Sequence, residues 1–309
     1  DRFKRRQDCD MNTNRSPLPA PGAPPHWRTV LSIFKLRIGF LIMLTALAGL
    51  AISPAPAPAL WQIAVMAIAV LISSASAGAF NQFIEADSDR LMKRTRERAF
   101  ASGELRAGPA WLGLIAGLLA FAVAATWLAL NGAAALYLFL GAFTYAVVYT
   151  VGLKRRSWLN IVFGGLAGSF AVLTGAAAAD PALGAQPLLL ALVLFLWTPP
   201  HFWSLAIANT DDYVAAGIPM LPVVVGIPRA ARIVHANTLV LVLASLLPGA
   251  FGAGPIYLAA AVIGGAWFLQ HTHALARTPE RSTAMSAFFA SMVQLAVLIA
   301  GVALDTLVR

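Results

Sequence analysis

"LWQIAVMAIAVLISSASAGAFNQFIEADSDRLMKRTRER", residues 60–98, decides what kind of fold this chain has. Residues 60–80 carry no charged side chain, and then Glu85, Asp87 and Asp89 are followed by Arg90, Lys93, Arg94, Arg96 and Arg98. An apolar run of about 20 residues matches the hydrocarbon thickness of a bilayer when it is helical. The run reads as a membrane span that ends where its charges meet water. The rest of the 309-residue chain agrees: it is 59% hydrophobic and only 11% charged, with a mean hydropathy of +0.76. A soluble domain carries about a quarter charged residues. In lipid the backbone polar groups must pair within each segment. These features predict an all-α, polytopic membrane protein.

Working outward, the apolar runs predict nine spans, near 37–53, 60–80, 109–129, 132–152, 158–179, 186–207, 232–252, 255–270 and 284–304. The connections at 53–59, 130–131, 180–185 and 253–254 contain no Lys or Arg, so 21 of the 22 basic residues fall on one side. That is the pattern of a cytoplasmic N-terminus under the positive-inside rule. The net charge of +9 is then explained by topology and anionic headgroups, and nucleic acid is not expected as a partner. Residues 1–30 are Pro-rich and polar and are expected to form a disordered cytoplasmic tail, with residues 31–309 as the membrane domain. Met11 is a candidate natural start. The lone Cys9 excludes an internal disulfide framework.

The spans hold almost no ionisable groups, whereas an ion or proton pump keeps such groups near the bilayer centre. Chemistry is expected at one membrane face instead. Asn81, Glu85 and Asp89 are four residues apart and share one side of a helix continuing from the second span. Like charges at that spacing repel. A divalent cation between them removes the repulsion, and one-sided oxygen ligands suit Mg²⁺ completed by phosphate and water. Asp87 points about 120° away from Asn81 on a regular helix. Arg90, Arg94 and Arg98 also recur every four residues and are candidates for holding phosphate. The competing reading is a solvated loop whose acids and bases pair with one another.

A second acidic loop follows the sixth span, "NTDDYVAAGIPMLPVVVG" at 209–226. Asp211 and Asp212 splay apart on a helix, so one is expected to bind metal and the other water or a base. The four-span offset between the loops suggests a duplicated unit with both loops facing one pocket, a site for diphosphate and one or two Mg²⁺. In a third loop, "YTVGLKRRSWLN" at 149–160, Lys154 and Arg155 are either topology determinants or phosphate ligands, with Tyr149 and Asn160 beside them.

Four blocks resemble the UbiA superfamily of membrane prenyltransferases, and within it the branch that farnesylates haem. They are "DSDRLMKRTRER", "LKRRSWLNIVFGGLAGS", "WTPPHFWSLAIANTDDY" and "AGIPMLPVV". The resemblance covers roughly residues 30–305 and implies nine helices around a central cavity. It implies transfer of farnesyl from farnesyl diphosphate to a vinyl group of haem B. Mg²⁺ would be held by Asn81, Glu85, Asp87, Asp89, Asp211 and Asp212. Lys154, Arg90, Arg94, Arg98 and Arg155, with Tyr149 and Asn160, would serve the diphosphate. Haem A synthase or oxidase assembly proteins are the implied partners, and a bacterial plasma membrane is favoured over a mitochondrial inner membrane. The chain departs from the family pattern at Glu85, where Asp is usual, at Lys35-Leu36-Arg37 for "KPR", at Arg98-Ala99 for "RP", and at Ala171-Val172, where prolines are expected.

Pro199 and Pro200 are expected to break or kink the sixth span. His201, next to them, is a candidate haem ligand or vinyl-orienting group, against the alternative of a hydrogen-bonded core histidine. Trp197 and Phe202 are candidates for lining the haem or prenyl surface, although interfacial aromatics are usually anchors. Gly164, Gly165 and Gly168 are expected to serve helix packing. Two rival readings remain: a quinone-precursor or chlorin prenyltransferase, and a non-catalytic assembly factor or transporter. "TPPHFW" speaks against the first, and the acid clusters speak against the second.

Overall fold

The computed structural model of the chain describes residues 26–308. Most of the expected tail, with Cys9 and Met11, lies outside the described residues. Its last residues, from Trp27, open helix α1 (Trp27–Ile33). Among the described residues there is no strand. Every predicted span falls on helix: α2 (Leu36–Ile52), α3 (Leu60–Ile84), α6 (Pro109–Ala129), α7 (Gly132–Phe143) running on into a π-helix (Thr144–Leu153), and α8 (Asn160–Gly164) with α9 (Leu166–Ala179). The series continues with α10 (Ala185–Ala208), α13 (Ile227–Ala250), α14 (Pro255–Arg277) and α15 (Arg281–Val308). Four short helices, α4 (Ala86–Leu91), α5 (Ala99–Ser102), α11 (Thr210–Ala215) and α12 (Leu221–Val225), fill the two acidic loops.

Among the described residues seven helices are long and apolar enough to cross a membrane, and α1 with α2, bent by 44°, counts as an eighth where the pair is taken as one broken span. The protein is a polytopic membrane protein. The last predicted segment to place, α14, is less apolar because its final turns carry Gln270, His271, His273 and Arg277. It is packed in the ring of long helices without meeting the same test of length and apolarity. α2, α3, α6, α7, α9, α10, α13, α14 and α15 each pack on the next, and α15 returns to α2. Contacts of α9 with α2 and of α10 with α15 tie the ring across its interior. Two open grooves, about 430 and 380 Å³, lie between α2 and α3 and between α6 and α7, and no residue of either acidic loop lines them.

α10 does not break at Pro199 and Pro200 but runs unbroken from Ala185 to Ala208. A proline removes the donor that would have satisfied the carbonyl four residues earlier. The carbonyl freed by Pro200, that of Leu196, accepts instead from Asn237 Nδ2 on α13 at 2.8 Å. A half-buried amide on a neighbouring helix thus replaces the missing backbone bond, and the helix continues through the prolines.

Candidate active site: a ladder of acids and bases

α3 ends at Ile84, and α4 starts two residues later, with Glu85 at the joint. The bonds Glu85 N–H to Asn81 O (3.0 Å) and Asp89 N–H to Glu85 O (2.8 Å) carry helical spacing across it. Asn81, Glu85 and Asp89 therefore stay stacked on one face, and each is at most 2% exposed. Three buried oxygen-bearing side chains in a row are costly unless each is paired.

Each rung meets a cation from a different part of the chain. Lys35 Nζ donates to Asn81 Oδ1 at 2.7 Å. Lys154 Nζ reaches Glu85 Oε2 at 2.5 Å, and Arg98 Nη1 reaches Asp89 Oδ2 at 2.7 Å. Lys35 sits in the bend between α1 and α2 with φ +47°, a conformation uncommon for a long side chain. Lys154 closes the π-helix, its N–H bonded to Tyr149 O five residues back. That wider turn also presents Thr150 Oγ1 to Asn81 Nδ2 at 3.1 Å. π-Helical turns occur frequently at functional sites. Tyr149 stacks on Tyr145, and Lys154 Nζ lies 5.7 Å from the Tyr149 ring centre.

The helical repeat of Arg90, Arg94 and Arg98 does not survive in the structure. α4 stops at Leu91, Met92 turns inward with an extended backbone, and the chain folds back on itself. Thr95 Oγ1 donates to Asp89 O (3.1 Å), which returns Arg98 to the ladder. Arg90 instead pairs with Asp87 at 3.1 Å, and the Asp87 side chain is 87% exposed. Asp87 and Asp211 both face solvent. Asp212 Oδ2 accepts from the backbone N–H of Arg94 at 3.2 Å, which joins the second acidic loop to the first across 118 residues. Arg155 Nη2 donates to Ser88 Oγ at 3.0 Å, beside the ladder. Asn160 gives its Nδ2 to Lys154 O at 3.3 Å, so it braces the π-helix end.

Glu85 Oε1 is buried and has no hydrogen-bond partner. A carboxylate oxygen is an acceptor only, so this atom calls for a cation or a donor. Among the described residues no three His, Cys, Asp or Glu side chains converge as a ready-made metal cluster. The carboxylates are held by bases, and a metal bound here would share them.

Residues 42–293 match the UbiA prenyltransferase family. The chain belongs to that family. Among its relatives is protoheme IX farnesyltransferase 2 of Paramagnetospirillum magneticum, 56% identical over 91% of this chain and 97% of that protein. Protoheme IX farnesyltransferase 1 of the same organism is 46% identical over 90% and 98%. Among solved structures, a digeranylgeranylglyceryl phosphate synthase gives a TM-score of 0.76 at 16% identity, covering 92% of this chain and 99% of the other. A UbiA homologue from Archaeoglobus fulgidus bound to DMAPP and Mg²⁺ gives 0.70 at 16% identity, covering 87% and 99%. These two share the fold.

In this UbiA chain the aromatic residues around His201 form a second polar centre, separate from the ladder. His201 lies between Trp197 and Phe288, ring centres 4.2 and 4.5 Å away, with Phe202 edge-on at 4.9 Å. Its Nδ1 is 2.6 Å from Ser291 Oγ. That hydroxyl donates to Phe288 O at 2.6 Å, so it accepts from His201, whose Nε2 keeps a lone pair. Trp197 Nε1 donates to Ser291 O at 2.9 Å. The sequence reading did not single out Thr150, Ser88 or Ser291, and it met Lys35 only as a departure from the family pattern. The sole available signal was Lys35's position just ahead of an apolar span.

Proposed function

We propose that this protein transfers the farnesyl group of farnesyl diphosphate to a vinyl group of haem B, with the acid–base ladder holding the diphosphate. The observation that carries the reading is the ladder itself, set in a chain 56% identical to a protoheme IX farnesyltransferase over nearly its whole length. The C1–O bond of the allylic diphosphate breaks, C1 bonds to the terminal vinyl carbon, and water adds to the inner one with loss of a proton. The products are a hydroxyethylfarnesyl haem and diphosphate. Lys35, Lys154 and Arg98 supply positive charge where the leaving group gains negative charge. Glu85, with its unpaired Oε1, and Asp89, joined by Asp212 across the loops, are the residues that would hold Mg²⁺. When bound, the metal neutralises the departing diphosphate. His201, with its lone pair on Nε2, is the candidate for the haem iron or for orienting the vinyl group. The basic loops support a site on the cytoplasmic side, and a bacterial plasma membrane is the membrane this reading assigns.

The test is mass analysis of haem after incubation of the purified protein with haem B, farnesyl diphosphate and Mg²⁺. A farnesylated haem is expected, and EDTA is expected to abolish it. Prenylation of a quinone precursor with haem untouched would make the acceptor wrong. No transfer to any acceptor by folded protein would remove the enzymatic reading.

Lys35 gives a second prediction. Lys35→Met removes the cation from the first rung and is expected to lower kcat/KM for farnesyl diphosphate by about 10- to 100-fold, the range for losing a charge-assisted hydrogen bond. Lys35→Arg should recover part of the loss. Unchanged kinetics in Lys35→Met would mean that Lys35 only braces the α1–α2 bend.

A further inference from the structure

We propose a second metal site, built by His235 on α13 and His273 on α14, that takes a divalent transition ion. It stands independently of the ladder. His235 is about two turns into α13, and His273 is about one turn from the end of α14. Both lie at the end of the bundle that carries the acidic loops, where Val234 and Leu275 share an apolar cluster with Met92 and Tyr213.

The two imidazole centres are 5.4 Å apart, with ring planes at 61°. Take a metal–nitrogen bond of about 2.0 Å and about 1.1 Å from nitrogen to ring centre. With a nitrogen of each ring turned to a shared ion, the rings would subtend roughly 120° at it, within reach of a tetrahedral site. A trans pair on a haem iron would need ring centres about 6.2 Å apart by the same bond lengths, so the spacing favours a bare ion.

The hydrogen bonds around His235 fix its tautomer. Thr272 Oγ1, fully buried, donates to Leu269 O at 3.2 Å. It therefore accepts from His235 Nδ1, 3.1 Å away. The proton sits on Nδ1, and Nε2 keeps a lone pair. A ligand histidine is commonly held in this way, its far nitrogen donating to a fixed partner. His273 is exposed, which leaves the pair open to the aqueous side. His271 is turned elsewhere: its Nδ1 bonds Trp267 O at 2.8 Å and its ring centre is 4.5 Å from that of Trp267. With two nitrogen ligands, water completes the shell. Imidazole donors select Zn²⁺, Cu²⁺ or Ni²⁺ over Mg²⁺, which prefers the oxygens of the ladder.

The experiment is calorimetric titration of Zn²⁺ into the tag-free, full-length protein, with excess Mg²⁺ present to occupy the carboxylates. One site per chain is expected. His235→Ala and His273→Ala should each weaken it by at least about tenfold, and Thr272→Val by about tenfold, as for loss of a partner that orients a ligand. His271→Ala should leave it unchanged. Electron paramagnetic resonance of bound Cu²⁺ should show two nitrogen ligands in the parent and one in either single variant. His235→Gln replaces the alanine variant if that one melts early. Titrations of His235→Ala and His273→Ala that overlay the parent, or an equal loss in His271→Ala, would overturn the site.

Discussion

Asp89→Asn is expected to lower farnesyl transfer by about 10³-fold, while Asp87→Asn, two residues away, should stay within about threefold of the parent. The two carboxylates carry the same charge in the same motif, and only burial and partners separate them. Asp89 is 1% exposed and paired with Arg98, on the stacked face with Asn81 and Glu85. Asp87 stands in solvent against Arg90. An exposed pair of that kind contributes little. Asparagine keeps the shape of Asp89 and can still accept from Arg98 through its amide oxygen. It removes the negative charge that a divalent cation needs, and it leaves Arg98 less well compensated. The measurement is the initial rate of farnesyl haem formation at saturating Mg²⁺, with thermal melting to show that both variants are folded. Equal losses in the two variants would mean that the buried ladder does not choose the reacting carboxylates.

Much of this site was legible in the sequence because it is local. The four-residue spacing of Asn81, Glu85 and Asp89 needs only a helix that continues past the span, and the backbone bonds across Glu85 supply it. The spans were legible because each is a long apolar run, with the basic residues gathered in the connections at one face and almost none at the other. The arginine row misled for the same reason that the acid row worked: a spacing of four reads as helical whether or not the helix persists. The chain turns at Met92, and the burial of Met92 and Thr95, which enforces the turn, is a tertiary fact. Lys35 was beyond reach because Asn81, its partner, lies 46 residues on. The uninterrupted α10 depends on Asn237, which nothing in the sequence marks as the partner of Leu196. Among the glycines, Gly164 and Gly165 do face close neighbours, Tyr149 and Thr198, but Gly168 meets nothing within 4 Å. The tightest approach lies elsewhere, where helices rich in Ala and Gly give no contrast to read.

That approach is between α2 and α9, and Gly175→Ala is expected to be the most damaging single-methyl change in the bundle. A Cβ at Gly175 would lie 1.7 Å from the Ala46 carbonyl oxygen and 3.0 Å from Leu50 N. On the facing helix, a Cβ at Gly49 would lie 2.1 Å from Val172 O. Both obstacles are backbone, so no rotamer change can relieve them, and the helices must move apart. In lipid, helices associate largely through such close packing, and a small residue on each side is what permits it. Forcing the pair apart should cost about 3 kcal/mol, at the upper end for overpacking a rigid contact. The damage should also reach the chemistry. Lys35 caps the start of α2, so displacing the helix axis draws that side chain away from Asn81. Gly175→Ala should therefore lose both thermal stability and transfer activity in the detergent-solubilised protein. Gly168→Ala should melt within a few degrees of the parent, because its methyl enters open space and alanine favours helix by about 1 kcal/mol. If Gly175→Ala melted with the parent and kept its activity, the close crossing of α2 and α9 would not be what holds Lys35 on the first rung.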